Sequence, residues 1–122
     1  MSINNRTNAR GTIIAPSKDA SFFLHAKTGV YAVSSAQDLS LTGVGIETRY
    51  RPALGEEVVL KYRHNEMQVS VTGTVRWCEQ QSDRTYAIGI AFLPEDKTRN
   101  SLFFLALRKY LKEFSPVGST VP

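Results

Sequence analysis

Two short groups of residues in this 122-residue chain have side chains that could do chemistry. The first is a pair of arginines, Arg6 and Arg10, separated by three residues near the N-terminus. The second is Asp38-x-Ser40-x-x-Gly43, at the start of an apolar run. A guanidinium is a rigid fork of donors that pairs with phosphate or with two acceptors side by side. A carboxylate accepts hydrogen bonds, a serine hydroxyl donates one, and a glycine lets the backbone turn tightly or approach another group closely. Each group also has a plain reading: terminal arginines are usually solvated, and Asp and Ser often close a local turn on their own backbone.

The elements that must position these residues follow from hydrophobic period. From Gly11 to Leu93 the period is two. Met67, Val69, Val71, Val75 and Trp77 fall on one face of a predicted strand, and Gln68, Ser70, Thr72, Thr74 and Arg76 on the other. The pattern recurs in Val58, Leu60 and Tyr62, and in Tyr86, Ile88, Ile90 and Phe92, whose opposite face carries only Ala87, Gly89 and Ala91. Weaker strands are expected at Thr12 to Ala15, Ser21 to His25, Val30 to Ser34 and Val44 to Thr48. Turn residues punctuate them at Pro16 to Asp19, Thr28-Gly29, Arg51 to Gly55, His64-Asn65 and Ser82-Asp83. Gly73 and Gly89 lie inside strands, as at tight barrel bends. After Leu93 the period becomes helical: Phe103, Leu107, Tyr110, Leu111 and Phe114 form one stripe, predicting a helix from about Asp96 to Phe114. The expected organisation is a flexible arm (1–10), a mainly β domain (11–114) and a frayed tail (115–122). The domain is a small antiparallel barrel of six to seven strands with a C-terminal α-helix.

Composition narrows the possibilities. Hydrophobic residues at 42% and charged residues at 21% describe a globular chain rather than a disordered one. One cysteine, Cys78, excludes an internal disulfide and has no evident catalytic partner in sequence. His25 and His64 lack metal-ligand spacing, and no paired carboxylates, Gly-rich phosphate loop or metal cluster point to an enzyme. The polar N-terminus has no signal-peptide core and the longest apolar run, Leu102 to Leu107, is too short to span a bilayer, so a soluble cytoplasmic protein without membrane insertion is expected. A net charge of +4 suits an anionic partner without naming it.

The two motifs, in this order on a small barrel with a C-terminal helix, resemble the PilZ domain family from about Arg6 to Phe114. Gly73-x-Val75-x-Trp77 followed by Gly89-Ile90-Ala91-Phe92 is similar to that family's closing strands. The resemblance implies a stand-alone receptor for cyclic di-GMP, a bacterial second messenger, with no cofactor. The family is associated with motility, adhesion and biofilm polysaccharide output. The implied ligand-binding residues are Arg6, Arg10, Asp38, Ser40 and Gly43. Trp77 is a sixth candidate as a stacking surface for guanine, although alternation equally makes it a core residue. Arg forks match guanine O6 and N7, and a carboxylate accepts from the donors on its Watson–Crick edge. In the family the arm closes over the barrel surface. With no separate output domain in the chain, an unidentified effector protein would be regulated in trans. Many members open the arm motif with two adjacent arginines, whereas Asn5 precedes Arg6 here.

Two other functions remain alongside this one. A PilZ-like barrel can serve as a protein-interaction module without ligand. Net charge, Arg49, Arg51 and Trp77 admit a barrel that binds single-stranded nucleic acid, but few aromatics fall on the polar faces, which weighs against it.

Overall fold

The computed structural model describes residues 20–114, with side chains through 109. Six strands follow in order: β1 (Ala20–Ala26), β2 (Gly29–Gln37), β3 (Gly43–Thr48), β4 (Glu57–His64), β5 (Met67–Gln80) and β6 (Tyr86–Phe92). One helix, α1 (Lys97–Phe114), ends the described chain. The strands close into a barrel in the order β1-β2-β3-β6-β5-β4, with β4 returning to pair β1, and every pairing is antiparallel. Closure leaves no open sheet edge among these strands, which removes the usual template for edge-to-edge association. The mainly β barrel with a C-terminal helix is therefore as the sequence predicts. The expected arm, the strand at Thr12 to Ala15, the turn at Pro16 to Asp19 and the tail lie outside the described residues.

Alternation explains the interior. Phe22 and Leu24 of β1, Val44 and Ile46 of β3, Val58, Leu60 and Tyr62 of β4, Val71 and Val75 of β5, and Ile88, Ile90 and Phe92 of β6 point inward and are buried. Phe103 and Leu107 of α1 are fully buried on the same core, so the helix acts as a lid on the barrel. Phe103 packs edge-on to Phe92 at 5.7 Å and tilted to Phe22 at 6.0 Å, and Phe22 in turn meets Tyr62 edge-on at 5.8 Å. Such aromatic contacts add to the simple burial of area. Asn100, one turn before Phe103, is also buried, and its Nδ2 donates to the Leu93 carbonyl at 2.8 Å. That bond ties the first turns of α1 to the exit of β6.

The period-two pattern breaks at two points, in β2, where the β2–β3 register shifts between Val33 and Ser35, and in β5, where the break bears on the site. The β5–β6 register shifts between Val75 and Trp77, so one extra residue, Arg76, is accommodated as a bulge. A bulge reverses the inside–outside parity of everything after it. Trp77 consequently leaves the core face on which alternation had put it and is 44% exposed, while Cys78 turns inward against the core. Burial pushes the Cys78 thiol above its ordinary pKa, against a smaller lowering by Arg51, which is the environment of an inert cysteine rather than a nucleophile. Met67, on the same expected face as Trp77, is exposed at the other end of β5.

Candidate functional site

The loop from Asp38 to Thr42 joins β2 to β3, and its conformation is set by three features. Asp38 adopts a left-handed backbone, φ 52°, which Asp tolerates better than most residues. Leu39 next to it is fully buried and anchors the loop in the core. Ser40 then closes a tight turn: its N–H donates to the Gly43 carbonyl at 2.9 Å, and its Oγ lies 3.4 Å from the same carbonyl. The Ser40 Oγ also accepts from the Thr42 N–H at 3.2 Å and lies 3.1 Å from Thr42 Oγ1. The plain reading of Ser40 as a turn former therefore holds. Its hydroxyl sits within a built loop at the mouth of a crevice, and a turn role does not preclude a ligand contact.

Gly43 begins β3 where that strand runs beside β6, in register with Ala91. A Cβ at Gly43 would come within 2.5 Å of the Ile90 carbonyl oxygen, a rigid backbone atom. The requirement here is space between strands. Along the same outer face the residues stay small: Gly45 pairs with Gly89, and Ala87 and Ala91 flank them on β6. Trp77 explains the emptiness. It pairs with Gly89, and a Cβ at Gly89 would collide with the indole; the far edge of the ring reaches to within 3.9 Å of the Cβ position of Gly45. The indole thus lies on a floor of glycine, on the outside of the barrel.

Asp38, Ser40, Gly43 and Trp77 line one open crevice of about 250 Å³, together with Thr42, Gly45, Arg76 and Gly89. Four of the six residues singled out from sequence are thereby brought together by β2, β3, β5 and β6. Arg6 and Arg10 lie outside the described residues. Arg76, Gly45 and Gly89 were not assigned to the site from sequence. The signal that could have found the glycines is their pattern: Gly45, Gly89 and the alanines beside it leave successive outer positions of two strands without bulk, which suggests close approach of another group. Arg49 and Arg51 are exposed on the surface.

The arrangement offers a carboxylate, a hydroxyl, an exposed guanidinium and an exposed indole within one concavity. These groups suit a planar base with donors on its edge and a phosphate nearby. At about 250 Å³ the crevice is smaller than most ligand pockets, which run to roughly 300–1,000 Å³, so further surface is needed to enclose a nucleotide. Among the described residues no group of three or more His, Cys, Asp or Glu side chains could hold a metal ion, and no helix is long and apolar enough to cross a membrane.

No curated protein matches the chain closely enough to count as a relative. A family model described as PilZ domain matches residues 4–107, a span that includes both motifs, all six strands and the first turns of α1. PilZ domains are receptors that bind cyclic di-GMP, not a catalytic family. With the match covering nearly the whole chain, from the arginine pair to the helix that closes the barrel, this protein belongs to the PilZ domain family.

Proposed function

We propose that this chain is a cyclic di-GMP receptor that works as an adaptor: ligand bound on the β3–β6–β5 face changes how a partner protein is engaged in trans. The observation that carries the reading is the convergence of Asp38, Ser40, Gly43 and Trp77 on one crevice in a chain of this family. In the proposed mode Asp38 accepts from the Watson–Crick edge of a guanine, Ser40 donates to a ligand oxygen, and Trp77 stacks on a base. Arg6 and Arg10 close from the other side onto phosphate and the guanine O6/N7 edge. Arm closure is then a switch in which ligand orders a segment, and it can shift the equilibrium only by its preference for the closed state. No step makes or breaks a covalent bond, and no cofactor is required. The proposed setting is the bacterial cytoplasm, where this messenger governs motility and biofilm formation.

Calorimetric titration of the purified protein with cyclic di-GMP, with GTP as control, tests the reading. Saturable binding of the cyclic dinucleotide alone, lost in Arg6→Ala and Arg10→Ala variants that melt like wild type, is the expected result. Absence of binding by wild type, or wild-type affinity in both variants, contradicts it. In the first case the barrel would be a protein-interaction module. A salt titration with single-stranded oligonucleotides separates the nucleic-acid alternative, which requires binding at low salt.

A further inference from the structure

One face of α1 is spent on the core and the opposite face is bare. Asn100, Phe103 and Leu107 are buried, and Phe104 and Ala106 are partly covered at the edges of the same face. On the other side, at helical spacing, run Thr98, Leu102, Leu105 and Lys109, all exposed. Leu102 and Leu105 are 53% and 55% exposed and sit one turn apart. A lone exposed leucine is ordinary, but two side by side on a helix make an apolar spot. Cations frame it. Lys97 and Arg108 fall on one flank, Arg99 on the other, and Lys109 at the C-terminal end of the stripe, and all four are exposed. Arg108 lies 6.0 Å over the Phe104 ring, which holds its charge at the edge of the spot.

The placing of these charges says what fits the face. The sequence has no acidic residue from Lys97 to Lys112, and the first turn of α1 has none. Lys97 and Arg99 stand near the start of the helix, where the positive end of its dipole disfavours cations. Among the described residues no carboxylate pairs with any of the four cations. Helix stability does not account for them, whereas an acidic neighbour does. The remaining residues of the chain are poor in such groups: of 1–19 only Asp19 is acidic, and 115–122 hold no acidic side chain. A second copy apposed through this face would set cations against cations. A membrane surface would match the charge, but interfacial helices bury a whole apolar face in lipid, and α1 has already committed its larger one, Phe103 and Leu107, to the barrel.

We infer that the outer face of α1 is the docking surface for a partner protein that presents apolar side chains ringed by carboxylates. Leu102 and Leu105 enter the apolar part of that partner, and Lys97, Arg99, Arg108 and Lys109 meet its acidic rim. Burial of the leucines supplies affinity, and the charges supply orientation and rate of encounter. The inference deepens the adaptor reading, on which it rests for there being a partner, and it involves none of the residues proposed to hold the ligand.

The probe is a synthetic helical peptide with leucines at i, i+3, i+4 and i+7 and glutamates elsewhere, beside a twin in which lysines replace the glutamates. Each is titrated into the full chain while backbone amide resonances are followed. The acidic peptide should bind saturably, more weakly as salt is raised, with shifts centred on Thr98 to Lys109, and the lysine twin should not bind. The double variant Leu102→Ser, Leu105→Ser should bind the acidic peptide about tenfold more weakly. Arg99→Glu with Lys109→Glu should exchange the preference, losing the acidic peptide and admitting the lysine twin. All of these positions are exposed, so melting curves should stay near wild type, and heats of cyclic di-GMP binding should be unchanged. No binding of the acidic peptide by wild type, equal affinity for the twins, undiminished affinity in the variants, or shifts centred elsewhere overturns the inference. Retention on phosphatidylglycerol vesicles without peptide binding also overturns it, in favour of a membrane. Any of these results beside normal cyclic di-GMP binding leaves the receptor reading intact, whereas peptide binding by a chain that ignores cyclic di-GMP overturns the receptor reading alone.

Discussion

The two sides of the barrel wall treat their outer positions differently. On β1 and β4 the outward residues are Ser21, Phe23, His25, Glu57, Val59, Lys61 and Arg63, ordinary cross-strand neighbours such as Phe23 opposite Lys61 and Ser21 opposite Arg63. On β3 and β6 the outward positions are Gly43, Gly45, Glu47, Ala87, Gly89 and Ala91, all small except Glu47 at the far end of β3, and Trp77, the large side chain that lies over Gly45 and Gly89, arrives from β5 by way of a bulge. Both faces enclose the same core, but only the second needs missing side chains: a Cβ at Gly43 would meet the Ile90 carbonyl and one at Gly89 the Trp77 indole. Glycine inside a strand weakens it. The stripped stretch is explained by what lies on it, the Trp77 indole, with an open crevice beside it.

The comparison can be broken or sharpened by substitution. The largest effect is expected from Arg6→Ala, Arg10→Ala or Asp38→Ala, each of which should abolish most cyclic di-GMP binding in a calorimeter; the arginine variants should melt near wild type, whereas Asp38→Ala should also lose some stability, because alanine tolerates the left-handed backbone there less well. Next comes Gly89→Val. Its side chain must displace the Trp77 indole, so binding should fall strongly and the emission of Trp77, the chain's single tryptophan, should shift even without ligand. Trp77→Ala should be milder, because base–aromatic stacking is worth about 1–3 kcal/mol, and an exposed indole contributes little to the core. On the opposite face Phe23→Ala and Lys61→Ala should leave affinity within about twofold of wild type, since surface changes away from such features are usually within about 0.5 kcal/mol.

The smallest effect concerns pH. Tyr50 stacks on Tyr31 at 4.5 Å and donates to both carboxylate oxygens of Glu56, at 3.0 and 2.8 Å, while the Ala53 N–H donates to Oε1. Burial, then the hydrogen bond to Glu56, raises the Tyr50 pKa above its ordinary value of about 10. A raised folded-state pKa contributes stability that is complete below the unfolded value and is lost as pH climbs through the folded one. A small alkaline destabilisation above about pH 10 is therefore expected, and it should be absent in Tyr50→Phe when melting is followed across that range.

Much of the fold was legible because its signals are local. Alternation placed β1 to β6 within a few residues of their observed ends, and the change of period at Leu93 announced α1, which starts at Lys97 rather than Asp96. The face of Trp77 was not legible, because a one-residue bulge inverts parity without leaving a mark in composition. Nor was the left-handed turn at Asp38, where a residue other than glycine takes a conformation glycine usually fills. For the site, Asp38, Ser40 and Gly43 could be read as a motif because they are close in sequence. Arg76, Gly45 and Gly89 could not, since only the pairing of β3 and β5 with β6 brings them beside Asp38 and Ser40.

The most direct test uses that single tryptophan as its own reporter. Cyclic di-GMP is titrated into the wild-type protein while Trp77 emission is recorded alongside binding heat. If the glycine-floored face is the ligand face, emission changes saturably, with the same midpoint as the heat, and GTP produces neither signal. Saturating heat with unchanged emission would place the ligand elsewhere and contradict the account.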